Sequence, residues 1–169
     1  INLEIPAGIS YGLIGPNGSG KTTLIRILAG IWRASSGRAY VLTRLMPDRA
    51  VAKSIGYMTQ AEALYKDLRV EENLAFFGRV YGLSGNSLKL RSEEVLKLVG
   101  LWERRKSLVE EISGGMKRRL SLACALVHQP ALLLLDEPTV GIDPELRIQF
   151  WNYFQGLTRI GTSILVSTH

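Results

Sequence analysis

The stretch GPNGSGKTT at residues 15–23 decides how the rest of this sequence folds. The apolar residues 9–14 before it are typical of a buried strand, and residues 22–29 after it place apolar residues at helical spacing. The fixed positions of the pattern G-x-x-x-x-G-K-[ST] are occupied by Gly15, Gly20, Lys21 and Thr22. A strand, a glycine-rich loop and a helix in this order predict a phosphate-binding loop.

The residue types in this loop suit the charges of a nucleoside triphosphate. Glycines let backbone N–H groups converge on phosphate oxygens, and the helix adds unpaired N–H groups and the positive end of its dipole. Lys21 would reach the β- and γ-phosphates, and the Thr22 hydroxyl would ligate Mg²⁺. The loop residues expected to bind the nucleotide are Gly15, Pro16, Asn17, Gly18, Ser19, Gly20, Lys21, Thr22 and Thr23.

A second group of polar residues follows two other predicted strands. Residues 131–135 are continuously apolar and end in Asp136 and Glu137, as in a buried parallel strand with carboxylates at its carboxyl end. Asp136 would hold Mg²⁺, and Glu137 would polarise the water that attacks the γ-phosphate. Gln60 follows the strand predicted at residues 54–58, and its amide oxygen would contact Mg²⁺ or that water. A surface glutamine is the simpler interpretation of that residue taken alone.

The sequence SGG predicts a second place where an anion can bind. Ser113 is a suitable N-cap for a helix over residues 116–127, and Gly114 and Gly115 leave the first N–H groups uncovered. An ordinary capped helix explains these three residues equally well.

The remaining segments complete an alternation of strands and helices. The alternating apolar residues at positions 1–5 predict a strand that pairs with the strand before the phosphate loop, and residues 47–53 are loop-like. Residues 70–80 and 92–99 have helical patterns, with Ser92 as the N-cap of the second.

The end of the chain returns to the predicted sheet. Asp143 followed by Pro144 is typical of a helix start. Residues 162–167 are β-branched and apolar enough for a last strand, after which His169 would hydrogen-bond the γ-phosphate.

Composition and charge exclude several classes of protein. The 169 residues suffice for one domain, and a hydrophobic content of 46% argues against disorder. The single cysteine, Cys124, excludes an intramolecular disulfide and suits a reducing cytoplasm. The net charge is +6, and residues 89–119 carry nine Lys and Arg against five Glu. A solvated helical surface explains this excess best, with nucleic acid or an anionic membrane as minor alternatives.

The order of these motifs resembles the nucleotide-binding domain of ATP-binding cassette (ABC) proteins. The motifs that carry the resemblance are GPNGSGKTT, Gln60, ISGGM at residues 112–116, LLLLDE at residues 132–137, GID at residues 141–143 and His169. The runs SGGMKRRLSLA and LLLLDEPTVGIDP further resemble ATPase subunits of bacterial drug, antibiotic or polysaccharide exporters.

The resemblance implies an α/β fold of the P-loop NTPase class. Its parts would be a mostly parallel sheet core, an inserted helical subdomain and an N-terminal antiparallel β portion. Residues 1–169 would be one nucleotide-binding domain, with the core at residues 1–68 and 128–169 and the helical subdomain at about residues 69–127. The family's adenine-stacking aromatic residue would precede Ile1, and further elements would follow His169, so we expect truncation at both ends.

The resemblance also implies a Mg²⁺-dependent ATPase with a shared active site. Two domains would pair head to tail, with ATP between the phosphate loop of one and Ser113, Gly114 and Gly115 of the other. Glu137 would be the general base, His169 the switch residue, and Gln60 the link to a transmembrane permease at the cytoplasmic face of the membrane. The implied Mg²⁺ ligands are Thr22, Gln60 and Asp136.

Some positions depart from the family pattern. Ile112 and Met116 replace the outer residues of Leu-Ser-Gly-Gly-Gln. Because Met116 cannot complete a capping box, we expect a helix cap weaker by at most ~1 kcal/mol. Arg69 stands where relatives often have a capping Thr or Ser, so the next helix is expected to begin differently.

Two other functions fit the phosphate loop. A soluble ABC-type ATPase acting on ribosomes or DNA suits the basic charge, but only ~50 residues separate Gln60 from Ser113, too few for a long coiled-coil arm. A P-loop kinase or GTPase predicts neither the Ser-Gly-Gly helix start nor the Asp-Glu pair in this order. The sequence therefore favours an exporter ATPase and argues against nucleic acid as a partner.

Overall fold

The computed structural model of the protein describes residues 1–61, 63–139 and 141–168. Its strands are β1 (Ser10–Ile14), β2 (Tyr40–Val41), β3 (Arg44–Leu45), β4 (Ile55–Met58), β5 (Leu132–Asp136) and β6 (Ser163–Thr168). Four of them form a parallel sheet in the order β1-β6-β5-β4, and β2 and β3 form an antiparallel hairpin. These two sheets confirm the predicted fold class.

The helices lie between and beside these strands. They are α1 (Lys21–Leu28), α2 (Arg49–Ala52), α3 (Val70–Val80), α4 (Gly85–Leu98), α5 (Gly114–Leu126) and α6 (Pro144–Arg159), with short 3₁₀ turns at Trp102–Arg104 and Val109–Glu111. The start of α6 follows from its sequence, because Asp143 Oδ1 accepts a hydrogen bond from Leu146 N at 2.9 Å and Pro144 occupies the first helical position.

Both faces of the parallel sheet are covered. On one face, Leu134 of β5 and Leu165 of β6 pack with Ile25 of α1. On the other face, Leu135 packs in a larger cluster with Phe150 of α6 and with α5. Burial of each of these leucines stabilises the folded state by about 2 kcal/mol. A strand covered on both faces buries every side chain, which explains the continuous apolar sequence of β5.

Helix α5 approaches β4 so closely that the strand needs a glycine. A Cβ atom added to Gly56 would collide with the backbone oxygen of Ala125 and lie 2.9 Å from side-chain atoms of Leu133 and Pro130. The same helix packs against α3 and α4 through buried side chains such as Leu74, Val95 and Leu122. Helix α5 therefore contacts both the sheet and the α3–α4 layer.

The N-terminal prediction was wrong in its location. Residues 1–5 form no strand; Ile1 is 98% exposed and only Ile5 packs against the core. The antiparallel part of the fold is instead the hairpin in which Tyr40 pairs with Leu45. Alternating apolar residues indicate which side of a strand would be buried, but they do not supply a hydrogen-bonding partner.

Two further boundaries differ from the prediction. Residues 47–53, predicted as a loop, contain α2, whose first N–H groups are capped by Asp48. Helix α4 begins at Gly85, and Ser84 rather than Ser92 holds the N-cap position. Gly85 and Asn86 lie in the first helical turn, whose N–H groups make no intrahelical bonds, so the helix tolerates them there. The prediction of α3 over residues 70–80 is confirmed.

A helix that crosses a membrane needs about 20 consecutive, predominantly apolar residues. Within the part of the chain that the structure describes, no helix combines the length and the apolar character needed to cross a membrane.

Candidate nucleotide-binding site

The predicted phosphate loop, Gln60, Asp136 and Glu137 lie at one edge of the parallel sheet. Because parallel strands end at the same edge, Ile14 of β1 lies level with Thr168 of β6, and Asp136 of β5 lies level with Ser167. The phosphate loop follows β1 directly, and Glu137 and Gln60 follow β5 and β4. The sheet thus brings together residues that are more than a hundred positions apart.

The phosphate loop exposes its backbone to solvent. Residues 16–20 are exposed, and Gly20 at the start of α1 has a φ of 92°, which L side chains rarely adopt. Among the described residues, no side-chain cap bonds to the first N–H groups of α1. Lys21 Nζ donates to the carbonyl oxygens of Gly15 at 2.6 Å and Pro16 at 3.0 Å. The ammonium group is therefore held over the same loop whose N–H groups are open to an anion.

Asp136 is the buried carboxylate of the site. The residue is 1% exposed, and both carboxylate oxygens accept hydrogen bonds from hydroxyl groups. Thr22 Oγ1 donates to Oδ2 at 2.8 Å, and Ser167 Oγ donates to Oδ1 at 2.5 Å. The two hydroxyl groups fix the direction of both carboxylate oxygens. Carboxylate and hydroxyl oxygens are hard donors that fit Mg²⁺.

Glu137 lies next to Gln60 in an unusual backbone conformation. Gln60 Nε2 is 3.4 Å from Glu137 Oε2, although the two residues are 77 positions apart. The φ of Glu137 is 54°, in the left-handed region that costs a non-glycine residue about 1–3 kcal/mol. The backbone N–H of Glu137 donates to the Ser167 carbonyl at 3.2 Å and to its Oγ at 3.1 Å. The strained conformation is thus fixed from β6.

Arg118 was not predicted as a site residue. It lies on α5, is 8% exposed, and its guanidinium donates to four backbone carbonyls at the ends of β4 and β5. These acceptors and distances are Thr59 at 3.0 Å, Gln60 at 2.7 Å, Asp136 at 2.7 Å and Glu137 at 2.5 Å. A readable signal existed in the sequence, since Arg118 precedes buried Leu122 by one helical turn and so interrupts the apolar stripe of α5.

Ser167 was also missed, for a different reason. It follows three apolar residues in β6, where a buried serine is easily interpreted as a packing residue. Its role depends on the register between β5 and β6, which pairs it with Asp136.

The Ser-Gly-Gly segment begins α5 as expected. Ser113 Oγ accepts a hydrogen bond from Met116 N at 3.3 Å. The helix cap therefore forms even though Met116 replaces the usual glutamine. Ser113 and Gly114 are exposed. A Cβ added to Gly115 would lie 3.0 Å from the carbonyl oxygen of Gly141, so this glycine permits a close contact with the GID segment. His169, the predicted switch residue, lies outside the described residues.

The fold and the phosphate loop are those of P-loop nucleoside triphosphatases, and comparison with known proteins identifies the group within that class. Residues 1–140 match the ABC transporter family. The linearmycin resistance ATP-binding protein LnrL of Bacillus subtilis is 42% identical over 100% of this chain and 55% of its own length. The Nod factor export ATP-binding protein I of Cupriavidus metallidurans is 40% identical over 100% of this chain and 56% of its own length.

A solved structure agrees with these sequence relatives. It is the dimeric, post-hydrolysis state of an ATP-binding cassette bound to ADP and Pi, with a TM-score of 0.92 at 26% identity, covering 100% of this chain and 78% of that one. The chain belongs to the ABC transporter family. It spans about half the length of the curated relatives it matches.

Proposed function

We propose that this chain is the ATP-binding and ATP-hydrolysing part of an ABC exporter, coupled to a transmembrane permease at the cytoplasmic face of the membrane. The observation that carries the proposal is the joining of Thr22 and Asp136 at the sheet edge beside an exposed phosphate loop. The names of the relatives, which include resistance and export ATP-binding proteins, support the exporter direction.

In the proposed mechanism, the phosphate loop binds ATP. The residues assigned to this contact are Gly15, Pro16, Asn17, Gly18, Ser19, Gly20, Lys21, Thr22 and Thr23, joined by Gln60. The open N–H groups of the loop and of α1 donate to phosphate oxygens, and Lys21 turns from the Gly15 and Pro16 carbonyls to the γ-phosphate.

The same edge would hold Mg²⁺ and the attacking water. Thr22, Asp136 and Gln60 would hold the ion, which neutralises charge on the phosphate oxygens. Glu137 takes the proton of the water, and Gln60 keeps the Glu137 carboxylate oriented through the contact at 3.4 Å. His169 is proposed to contact the γ-phosphate from the end of β6.

A second copy of the domain would complete the site. The exposed start of α5 offers Ser113, Gly114 and Gly115 to the γ-phosphate held by the partner. The dimeric state of the solved relative supports this arrangement. We assign the catalytic core to residues 1–68 and 128–169 and the helical subdomain to about residues 69–127, because α3, α4 and α5 follow one another in the chain between β4 and β5.

The experiment that tests the proposal is a pull-down of the full-length protein from detergent-solubilised native membranes, followed by mass spectrometry. A multi-span membrane protein in stoichiometric yield is expected. The same pull-down from cells that carry an untagged copy is the control for adventitious binding. Co-purification with ribosomes or DNA in place of a membrane protein would overturn the transporter assignment and leave the ATP site intact.

A further inference from the structure

Arg118 connects two parts of the molecule that are far apart in sequence. It lies five residues after Ser113 on α5, the helix whose N-terminus is proposed to contact the partner's ATP. Its side chain reaches the carboxyl ends of β4 and β5, where Gln60 and Glu137 are located. Helix α5 therefore links two sites. Its N-terminus is proposed to contact the partner's nucleotide, and Arg118 bonds directly to the site that would hydrolyse the nucleotide of its own chain.

Arg118 donates to four backbone carbonyls at the strand ends, and through these bonds it acts on backbone geometry. Beyond the paired residues Met58 and Leu135, β4 and β5 are joined at their carboxyl ends by this guanidinium. Arginine carries five N–H donors in a planar fork, which can serve several carbonyls at once. A buried guanidinium with this many partners fixes the spacing between the two strand ends.

The strongest effect falls on Glu137. Its left-handed backbone, with φ at 54°, persists only where the surrounding bonds over-determine it. Ser167 binds its N–H from β6, and Arg118 binds its carbonyl from α5. If the bond from Arg118 is lost, the Glu137 carbonyl is no longer held from α5, while the N–H of Glu137 stays bonded to Ser167. The backbone can then rotate, and the direction of the Glu137 carboxylate changes with it.

We propose that Arg118 is a positioning residue for ATP hydrolysis: it holds Glu137 and Gln60 in their reactive arrangement from the helix that contacts the partner's nucleotide. This inference rests on the proposed function, since it presumes ATP hydrolysis in a head-to-tail dimer. Arg118 is assigned no contact with the nucleotide. Its replacement should therefore slow ATP hydrolysis and leave ATP binding nearly unchanged.

The test uses the full-length protein with Arg118→Gln, Arg118→Lys and the control Arg119→Gln. Arg119 is the matched control because it loses the same charge on the same helix, while its guanidinium donates to Val99 and Gly100 carbonyls away from the site. Thermal unfolding, the Kd for MgATP, ATP-dependent dimerisation and kcat are measured for each variant.

The expected result is a split between binding and turnover. Arg118→Gln lowers kcat on the order of 100-fold through misplacement of Glu137, and its Kd for MgATP stays within about twofold of the wild type. Arg118→Lys, which keeps the charge but not the planar fork, has an intermediate kcat. Arg119→Gln has the kcat of the wild type.

Three results would overturn the inference: a kcat for Arg118→Gln within about threefold of the wild type, an equal loss of kcat in Arg119→Gln, or a parallel loss of MgATP affinity and kcat. If Arg118→Gln does not fold, Arg118→Lys carries the test, and a wild-type kcat in that variant overturns it. A wild-type protein that neither dimerises with ATP nor hydrolyses it would instead refute the proposed function.

Discussion

Thr22 donates a hydrogen bond of 2.8 Å to Asp136, although 114 positions separate the two residues. The bond joins the first turn of α1 to the last residue of β5, with Ser167 held on the other carboxylate oxygen. Two of the three expected Mg²⁺ ligands are thus adjacent in the folded protein. Such pre-organisation reduces the conformational entropy that is lost when the ion and the nucleotide bind.

Replacement of Lys21 tests the phosphate loop. Lys21→Ala removes the ammonium group that lies over the loop carbonyls, and a charge-assisted contact of about 1.5–3 kcal/mol corresponds to roughly 10- to 150-fold weaker MgATP binding. Isothermal titration calorimetry measures the change. Lys106→Ala, which removes an equal charge from an exposed position, is the control. Binding of wild-type strength by Lys21→Ala would contradict the loop assignment.

Glu137→Gln separates binding from hydrolysis. The amide keeps the shape of the side chain but cannot take a proton from water, so we expect ATP binding to persist and turnover to stop. The ATP-bound dimer should then accumulate, and light scattering in MgATP should report it. Scattering from monomers alone, with ATP demonstrably bound, would argue against a site shared between two copies.

Ser167 should affect the requirement for Mg²⁺. Ser167→Ala removes the donor to Asp136 Oδ1, and loss of such a supporting bond typically weakens metal affinity about 10- to 100-fold. Chelation with EDTA should stop ATPase activity in the wild type, and titration of Mg²⁺ back should show the higher requirement of the variant. Ser163→Ala, on the same strand but bonded to Gly8 N, should leave the Mg²⁺ requirement unchanged.

A pair of glycines should differ in their tolerance of a methyl group. Gly56→Ala places a Cβ against the Ala125 carbonyl and should destabilise the protein by about 1–3 kcal/mol or more, as overpacking does. Gly12→Ala in β1 meets only Ile14 Cγ1 at 4.0 Å and should be nearly neutral. Urea unfolding of the two variants checks this, and equal midpoints would show that α5 does not press on β4.

His128 should make stability dependent on pH. Its ring stacks on Tyr81 at 3.6 Å between centroids, its Nε2 donates to the Ile55 carbonyl, and burial, aided by the charge of Arg91, lowers its pKa to about 4. Because this pKa lies below the ordinary value of 6.5, the unfolded chain takes up the proton first.

The His128 contribution is therefore complete above pH 6.5 and is lost as the pH falls toward about 4. The pH values chosen for urea unfolding are about 7.5 and about 5.5, roughly one unit either side of the ordinary histidine pKa. Between them, His128→Gln should lose less stability than the wild type. An identical pH dependence in both proteins would show that His128 is not the group responsible.

Local patterns explain which parts could be predicted from the sequence. The phosphate loop and β5 depend on short-range features, namely glycine spacing and an apolar run that ends in Asp136. Ser167 acts through strand register and Arg118 through helix packing. The sequence pattern of α5 marks Arg118 as unusual, but it does not show which carbonyls Arg118 contacts. The strand prediction for residues 1–5 was wrong for a related reason, because a strand needs a hydrogen-bonding partner, which an alternating pattern alone does not identify.

The pairing of β1 with β6 has a consequence for synthesis of the protein. The strand that supports the phosphate loop leaves the ribosome about 150 residues before its neighbour β6, as the Gly8–Ser163 hydrogen bond illustrates with its separation of 155 positions. At about 5–20 residues per second, that interval is roughly 10 to 30 s. During it, β1 lacks its partner β6, and the backbone groups that later pair with β6 are open to other extended chains.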